Sequence, residues 1–280
     1  MLLLAFALTV LLGLVTLMGC NRTSELSVQQ AREHVALLAK AVRTDVEEVR
    51  QGLPKGAEFV KEYLRAEKYE EPAEARDVLD RARNKVQDLR VAKSTFFALT
   101  DVRGTVIRSD QEHDALAGKG LFAAFPKLQD ALTGKYVETR GNMAEAAGVR
   151  GRKDGQWVAA VAARDGAEAR GLYVTGWSWS AYAYRLENQL RGAVRSSQQA
   201  GEKDPLLYVY VVVEKDVFGA PVSPDVNARA VAEEAFFGKA RGAEVATAER
   251  EITGRRFGIA FQRTPELGDE VGIAVLRSET

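Results

Sequence analysis

Apolar and polar positions change period along the chain, and the changes mark its elements. From Ser24 to Gln51 apolar residues recur at helical spacing. Val28, Val35, Val42 and Val49 fall seven apart, with Ala31 and Leu38 between them, before Asp45 interrupts the series. Such a narrow apolar seam on an otherwise charged helix packs along a second helix. Gly52-Leu53-Pro54-Lys55-Gly56 predicts where this helix stops. A shorter helix follows from about Ala57 to Glu67. Pro72 then suits the first turn of a third, with Ala75, Leu79, Ala82, Val86 and Leu89 as its apolar stripe.

Beyond residue 94 the pattern becomes that of strands. TFFALTDVRGTVIRSD (95–110) reads as a hairpin, with Gly104 free to take a positive φ in its turn. LLYVYVVVEKDVFGAPVSPD, from 206, reads as a second one, turning at Glu214 to Asp216. Each hairpin leads into a mixed helical stretch, LFAAFPKLQDALTGK (121–135) or NARAVAEEAFFGKARG (227–242), that stops at a Gly-Lys pair. Then come a short strand (136–141 or 243–251) and a longer strand pair (155–180 or 254–278). The order strand–strand–helix–strand–strand–strand therefore occurs twice, and a repeat of order fixes architecture. Tyr182, Leu186, Leu190 and Val194 recur every four residues, which predicts a connecting helix over 181–199 closed by Gly201 to Pro205. The expected fold class is α+β: a long N-terminal helix, then two antiparallel-sheet units with covering helices, over 95–180 and 206–280. Residues 181–205 connect them, and residues 20–94 form a helical region.

Residues 2–19 carry no charge, a length between that of a signal-peptide core and that of a membrane span. Leu17-Met18-Gly19-Cys20 at its end resembles the lipobox of bacterial lipoproteins. That resemblance implies removal of residues 1–19 as a signal peptide and acylation, as with palmitate, of Cys20, the chain's only cysteine. Two acyl chains hold a protein stably at a membrane. The other reading is an uncleaved membrane anchor. Both place the body in the cell envelope, on the extracytoplasmic (periplasmic) side.

Composition narrows the chemistry. With 39 basic and 39 acidic side chains the formal net charge is zero, against a nucleic-acid partner. One Cys and two His, His34 and His113, cannot supply a zinc site at usual spacings or a matched nucleophile–base pair. No phosphate-loop or dinucleotide motif occurs, so neither an enzyme nor a cofactor or metal is expected. His34 reads as a surface or rim residue beside the valine seam, and His113 as part of a polar loop.

The order of parts resembles the Cache superfamily, extracytoplasmic relatives of PAS sensor domains. The resemblance rests on the long N-terminal helix, FFALTDVRGTVIRSD, Ala117-Gly118-Lys119-Gly120, the helix ending ALTGK and the closing strand pair. Two such PAS-like units after one long helix look like the double Cache arrangement. The resemblance implies a twisted antiparallel sheet in each unit with helices on one face. It also implies a small ligand in the membrane-distal unit and a signal read from the long helix by a kinase or chemoreceptor. The family's amino-acid signature, an Arg and a Trp one residue apart, is not met by Arg152 and Trp157, and no ligand is carried over.

A pocket wants an apolar wall and a few convergent polar groups. Alternation along 173–179 puts Tyr173, Thr175, Trp177 and Trp179 on one face, with Trp157 on the neighbouring strand. The candidate ligand site is therefore Trp157, Tyr173 and Trp177 as wall, Arg108 as an anion contact and Asp110 beside it. The competing reading is core packing. The second unit's matching strand, Val271 to Val275, is small and aliphatic, and structure is expected there without recognition. The expected function is a lipid-anchored sensor or small-ligand-binding protein that reports to a partner. The rival is a structural or assembly lipoprotein whose Val28, Val35, Val42, Val49 face pairs with a second copy or another protein.

Overall fold

The computed structural model describes residues 2–66, 72–92, 94–149, 151, 153–199 and 201–279, with side chains from residue 24 onward except at residue 72. By contacts the chain forms two compact units. The first is Ala41–Tyr182; the second combines Met1–Lys40 with Ala183–Thr280. All three tryptophans, Trp157, Trp177 and Trp179, lie in the first.

Helix α1 (Leu2–Ala66) is a single helix of 65 residues. The stop expected at residues 52–56 is absent, for a packing reason. Gly52 and Gly56 are buried. A Cβ at Gly52 would lie 2.7 Å from Leu89 Cδ2, and one at Gly56 2.5 Å from Tyr173 Cε1. Pro54 is exposed, so its ring and missing N–H face solvent. The cluster marks a close approach, and packing there outweighs the roughly 1 kcal/mol that glycine costs inside a helix.

The valine seam is also corrected. Val35, Val42 and Val49 are fully buried within the chain and Val28 half-buried. In the second unit Gly258 lets the α1 backbone approach so closely that a Cβ there would lie 2.3 Å from the Val28 nitrogen. The seven-residue spacing reports packing against the chain's own units, so this face is not open to a partner. The Asp45 interruption is a buried carboxylate that accepts the Tyr182 hydroxyl at 2.9 Å. The Cys20 side chain lies outside those described. Among the residues whose side chains are described, from Ser24 onward, no helix is long and apolar enough to cross a membrane.

In the first unit, α2 (Pro72–Lys85) and α3 (Gln87–Val91) follow, separated at Val86. The sheet comprises β1 (Phe96–Thr100), β2 (Val106–Ser109), β3 (Val137–Gly141), β4 (Gln156–Asp165) and β5 (Glu168–Ser178), in the order β2-β1-β5-β4-β3. Helix α5 (Trp179–Ser197) lies mostly in the second unit, which it enters at Ala183. Its sheet comprises β6 (Leu206–Val213), β7 (Asp216–Gly219), β8 (Ala246–Ile252), β9 (Arg255–Arg263) and β10 (Val271–Ser278). Their order, β7-β6-β10-β9-β8, is the same, and every pairing in both sheets is antiparallel. The duplicated sheet is thus present in full.

The covering helices differ from expectation. The first is α4 (Leu121–Ala124) followed by a 3₁₀ stretch, Pro126–Thr133, because Pro126 pushes Phe125 out of the helical region (φ −135, ψ 68). Its counterpart breaks at Ala235 (φ 48) into α6 (Asp225–Glu233) and α7 (Phe236–Lys239), so Gly238 lies inside a helix instead of ending one.

Both faces of the first sheet are covered, where the family likeness implied one. Phe96, Ala98, Val158, Ala160 and Val174 pack with Leu121, Phe125 and Leu128 on one face. Tyr173 meets α1 at Gly56 on the other. Two-sided burial is why β1 is buried at every position and reads as a continuous apolar run. In the second sheet Tyr210, Ile259, Phe261 and Leu276 pack with Val231 and Phe236. Behind it α5 is tied to β6, Glu187 accepting the Val209 N–H at 3.1 Å.

Candidate functional site

The sequence-derived site separates into packing and edge. Trp157 and Trp177 face each other across β4 and β5, and their rings stack 4.4 Å apart. Trp177 continues the stack onto Tyr182, at 4.6 Å. Tyr173, four residues earlier on the same face of β5, stacks on Phe97 at 5.8 Å. Trp157, Tyr173 and Trp177 are at most 1% exposed. They fill the layer between sheet and helix where an opening was expected, because Tyr182 and Gly56 draw α5 and α1 onto them. The Tyr173 hydroxyl and the Trp177 Nε1–H have no hydrogen-bond partner among the described residues.

Arg108 and Asp110 turn to different partners. Arg108 Nη1 donates to the carbonyl of Ile107 at 2.9 Å. Asp110 accepts the Phe97 N–H at 2.8 Å and lies 3.7 Å from Arg83. Burial lifts the Asp110 carboxyl above its usual range, against the pull of those two donors. Asp110 therefore holds β1, β2 and α2 together and its charge acts on the Tyr173 hydroxyl. Arg108 lies across β1 from Tyr173, both residues pairing with Leu99.

An open cleft of 430 Å³ lies instead in the second unit, where only structure was expected. Its floor is the end of β10, which presents Arg277, followed by Glu279. Helix α1 contributes Leu26, Gln30 and His34 to one wall. Helix α5 contributes Val194 and Ser197 to the other, with Gln198 just beyond its end. Glu202, Lys203 and Pro205 of the α5–β6 connection close it. Arg277 is only 9% exposed and grips Glu279 with two bonds, Nε to Oε1 at 2.6 Å and Nη2 to Oε2 at 3.2 Å. Gln198 donates to the Lys203 carbonyl at 3.2 Å, and the Gln199 N–H donates to Glu202 at 3.0 Å, which fixes the connection.

His34, expected as a surface or rim residue, is half-buried in the lining of this cleft. Its Nδ1 is buried and has no hydrogen-bond partner among the described residues. Burial, then the positive charge of Arg277, holds its pKa down to about 4, so the ring is neutral near pH 7. Glu33 and Glu279 pull weakly the other way. Sequence reasoning missed the cleft because its parts come from three separated segments, each ordinary alone. The one local signal was a histidine beside an apolar seam. Among the described residues, no three His, Cys, Asp or Glu side chains converge to hold a metal ion.

No family model matches the chain, and no curated protein matches it significantly in sequence. Solved structures do match in fold. One is the extracellular domain of vpHK1S-Z8, a candidate histidine kinase: TM-score 0.62, 11% identity, over 92% of this chain and 93% of that one. Another is a domain of a candidate sensory box/GGDEF family protein from Vibrio parahaemolyticus, at TM-score 0.59 and 11% identity over 92% and 98% of the two chains. With the duplicated sheet order, these likenesses show an α+β fold: a long N-terminal helix and two PAS-like units, in the double Cache arrangement.

Proposed function

We propose that this chain is an extracytoplasmic sensor that binds a small ligand, is anchored through acylated Cys20, and reports to a separate signalling partner. The observation that carries the reading is the fold shared along 92% of the chain with an extracellular domain of a candidate histidine kinase. Helix α1 is the reporter, since its residues supply core positions in both units. A ligand shifts such a protein only by its differential affinity for two states, so the bound form must repack α1. Because the valine seam is buried, the partner would meet another face of the helix. A thermal-shift screen of small metabolites should return at least one that raises the melting temperature; a screen without any stabiliser counts against the sensor. Radioactive palmitate should label the native protein and not Cys20→Ala.

One observation favours the second reading, a structural or assembly lipoprotein. The layer between the first sheet and α4 is closed, apolar packing, built from residues such as Phe96, Leu121, Phe125 and Val174. That unit would then serve as a platform for another protein. A constitutive complex seen by cross-linking and light scattering, unchanged by any metabolite, would select this reading.

A further inference from the structure

We propose that the cleft of the second unit binds a small aliphatic monocarboxylate, with its headgroup between Arg277 and His34, and that binding takes up one proton at His34. The proposal rests on the sensor reading and gives it a site and a ligand chemistry.

Charge balance is the argument. The lining holds two cations, Arg277 and Lys203, and two carboxylates, Glu202 and Glu279. An incoming anion leaves one negative charge in excess. His34 is the lining group that can cancel it, and its buried Nδ1 has no partner to lose. The charged groups facing the imidazole are Arg277 and Glu279 at the end of β10, Glu202 and Lys203 on the connection, and Glu33 on α1. Glu33 is exposed, accepts from the Gln29 and Gln30 amides and lies outside the lining, so that it stands outside the balance. Helix α5 presents Val194 and Ser197, and Gln198 follows its end; none of the three carries a charge. A dianion would crowd the two glutamates with a charge that no group balances, which selects a monoanion. A carboxylate suits Arg277, whose Nε and Nη2 already hold the Glu279 carboxylate by two parallel bonds; the ligand would take the remaining Nη1 or exchange with Glu279 at the fork. Leu26, Val194 and Pro205 offer a hydrocarbon chain a wall, and 430 Å³ is the volume of a small-molecule site. A ligand seated there touches α1 directly at His34, so occupancy is felt by the helix without crossing the sheet.

Butyrate is the probe, with butylamine and succinate as controls, on the full chain. Calorimetry in buffers of different ionisation heat should show butyrate binding with proton uptake. Its affinity should rise as pH falls from about 7.5 to about 5.5, by up to about tenfold per pH unit for one linked proton. The controls should bind weakly or not at all. The chain has two histidines, so His34→Gln assigns the His34 ring signals by NMR. Butyrate should move them towards imidazolium values in the native protein. His34→Gln, folded by circular dichroism, should lose both the proton uptake and the pH dependence. Three results overturn the proposal: no butyrate binding, binding without proton uptake, or the same binding in His34→Gln. A metabolite that stabilises the native protein and His34→Gln equally leaves the sensor standing and removes this site from it. Failure of every metabolite on the native protein removes the sensor itself.

Discussion

Tyr173 and His34 are both polar groups placed where burial works against them, with opposite consequences. The Tyr173 side chain is fully buried and its hydroxyl has no partner among the described residues. An unmet buried polar group costs about 1–3 kcal/mol. Tyr173→Phe keeps the ring on Phe97 and deletes the unmet group, so denaturant unfolding should show equal or greater stability, by up to about 1 kcal/mol. A clear loss would mean that the hydroxyl has a partner in solution. His34 acts through pH. Its ordinary pKa of 6.5 falls to about 4 in the fold, so folding favours the neutral ring. That contribution is complete above pH 6.5 and is lost as pH drops from 6.5 towards 4. Melting temperature should therefore fall over this window without ligand, and fall less steeply in His34→Gln.

Helix α1 shows what apolar spacing reports and what it leaves open. The seven-residue series said that one face of the helix is buried, which holds for Val35, Val42 and Val49. It did not say against what, because a strand and a helix present the same apolar surface to a seam. The Gly-Leu-Pro-Lys-Gly cluster misled for a related reason: glycine serves equally to end a helix and to admit a neighbour. Only the position of Leu89 and Tyr173 decides. Gly56→Ala should cost about 1–3 kcal/mol, since its Cβ would press on a buried ring that cannot retreat. Pro54→Ala, at an exposed position two residues earlier, should raise stability, because proline is the poorest residue in a helix interior. A melting-temperature comparison of the two variants tests both signs. If Gly56→Ala is neutral, the residue is a spacer and not a contact.

At the scale of the whole molecule, the duplication was legible because each copy repeats the same changes of period, and the two sheets have identical strand order. The aromatic face of 157 and 173–179 was legible as a face, and its role as packing was left open by alternation alone. The cleft was not legible, since Gln30, His34, Gln198 and Arg277 meet only after folding. One further consequence concerns light. Every indole sits in the Ala41–Tyr182 unit, while the second unit holds tyrosine and phenylalanine such as Tyr208, Tyr210, Phe236 and Phe261. Excitation of tryptophan should thus watch one half of the molecule melt, whereas far-ultraviolet dichroism watches both. The two curves should fail to superimpose, and butyrate should displace the dichroism curve more than the fluorescence. The protein carries its own optical label, on the half that lacks the cleft.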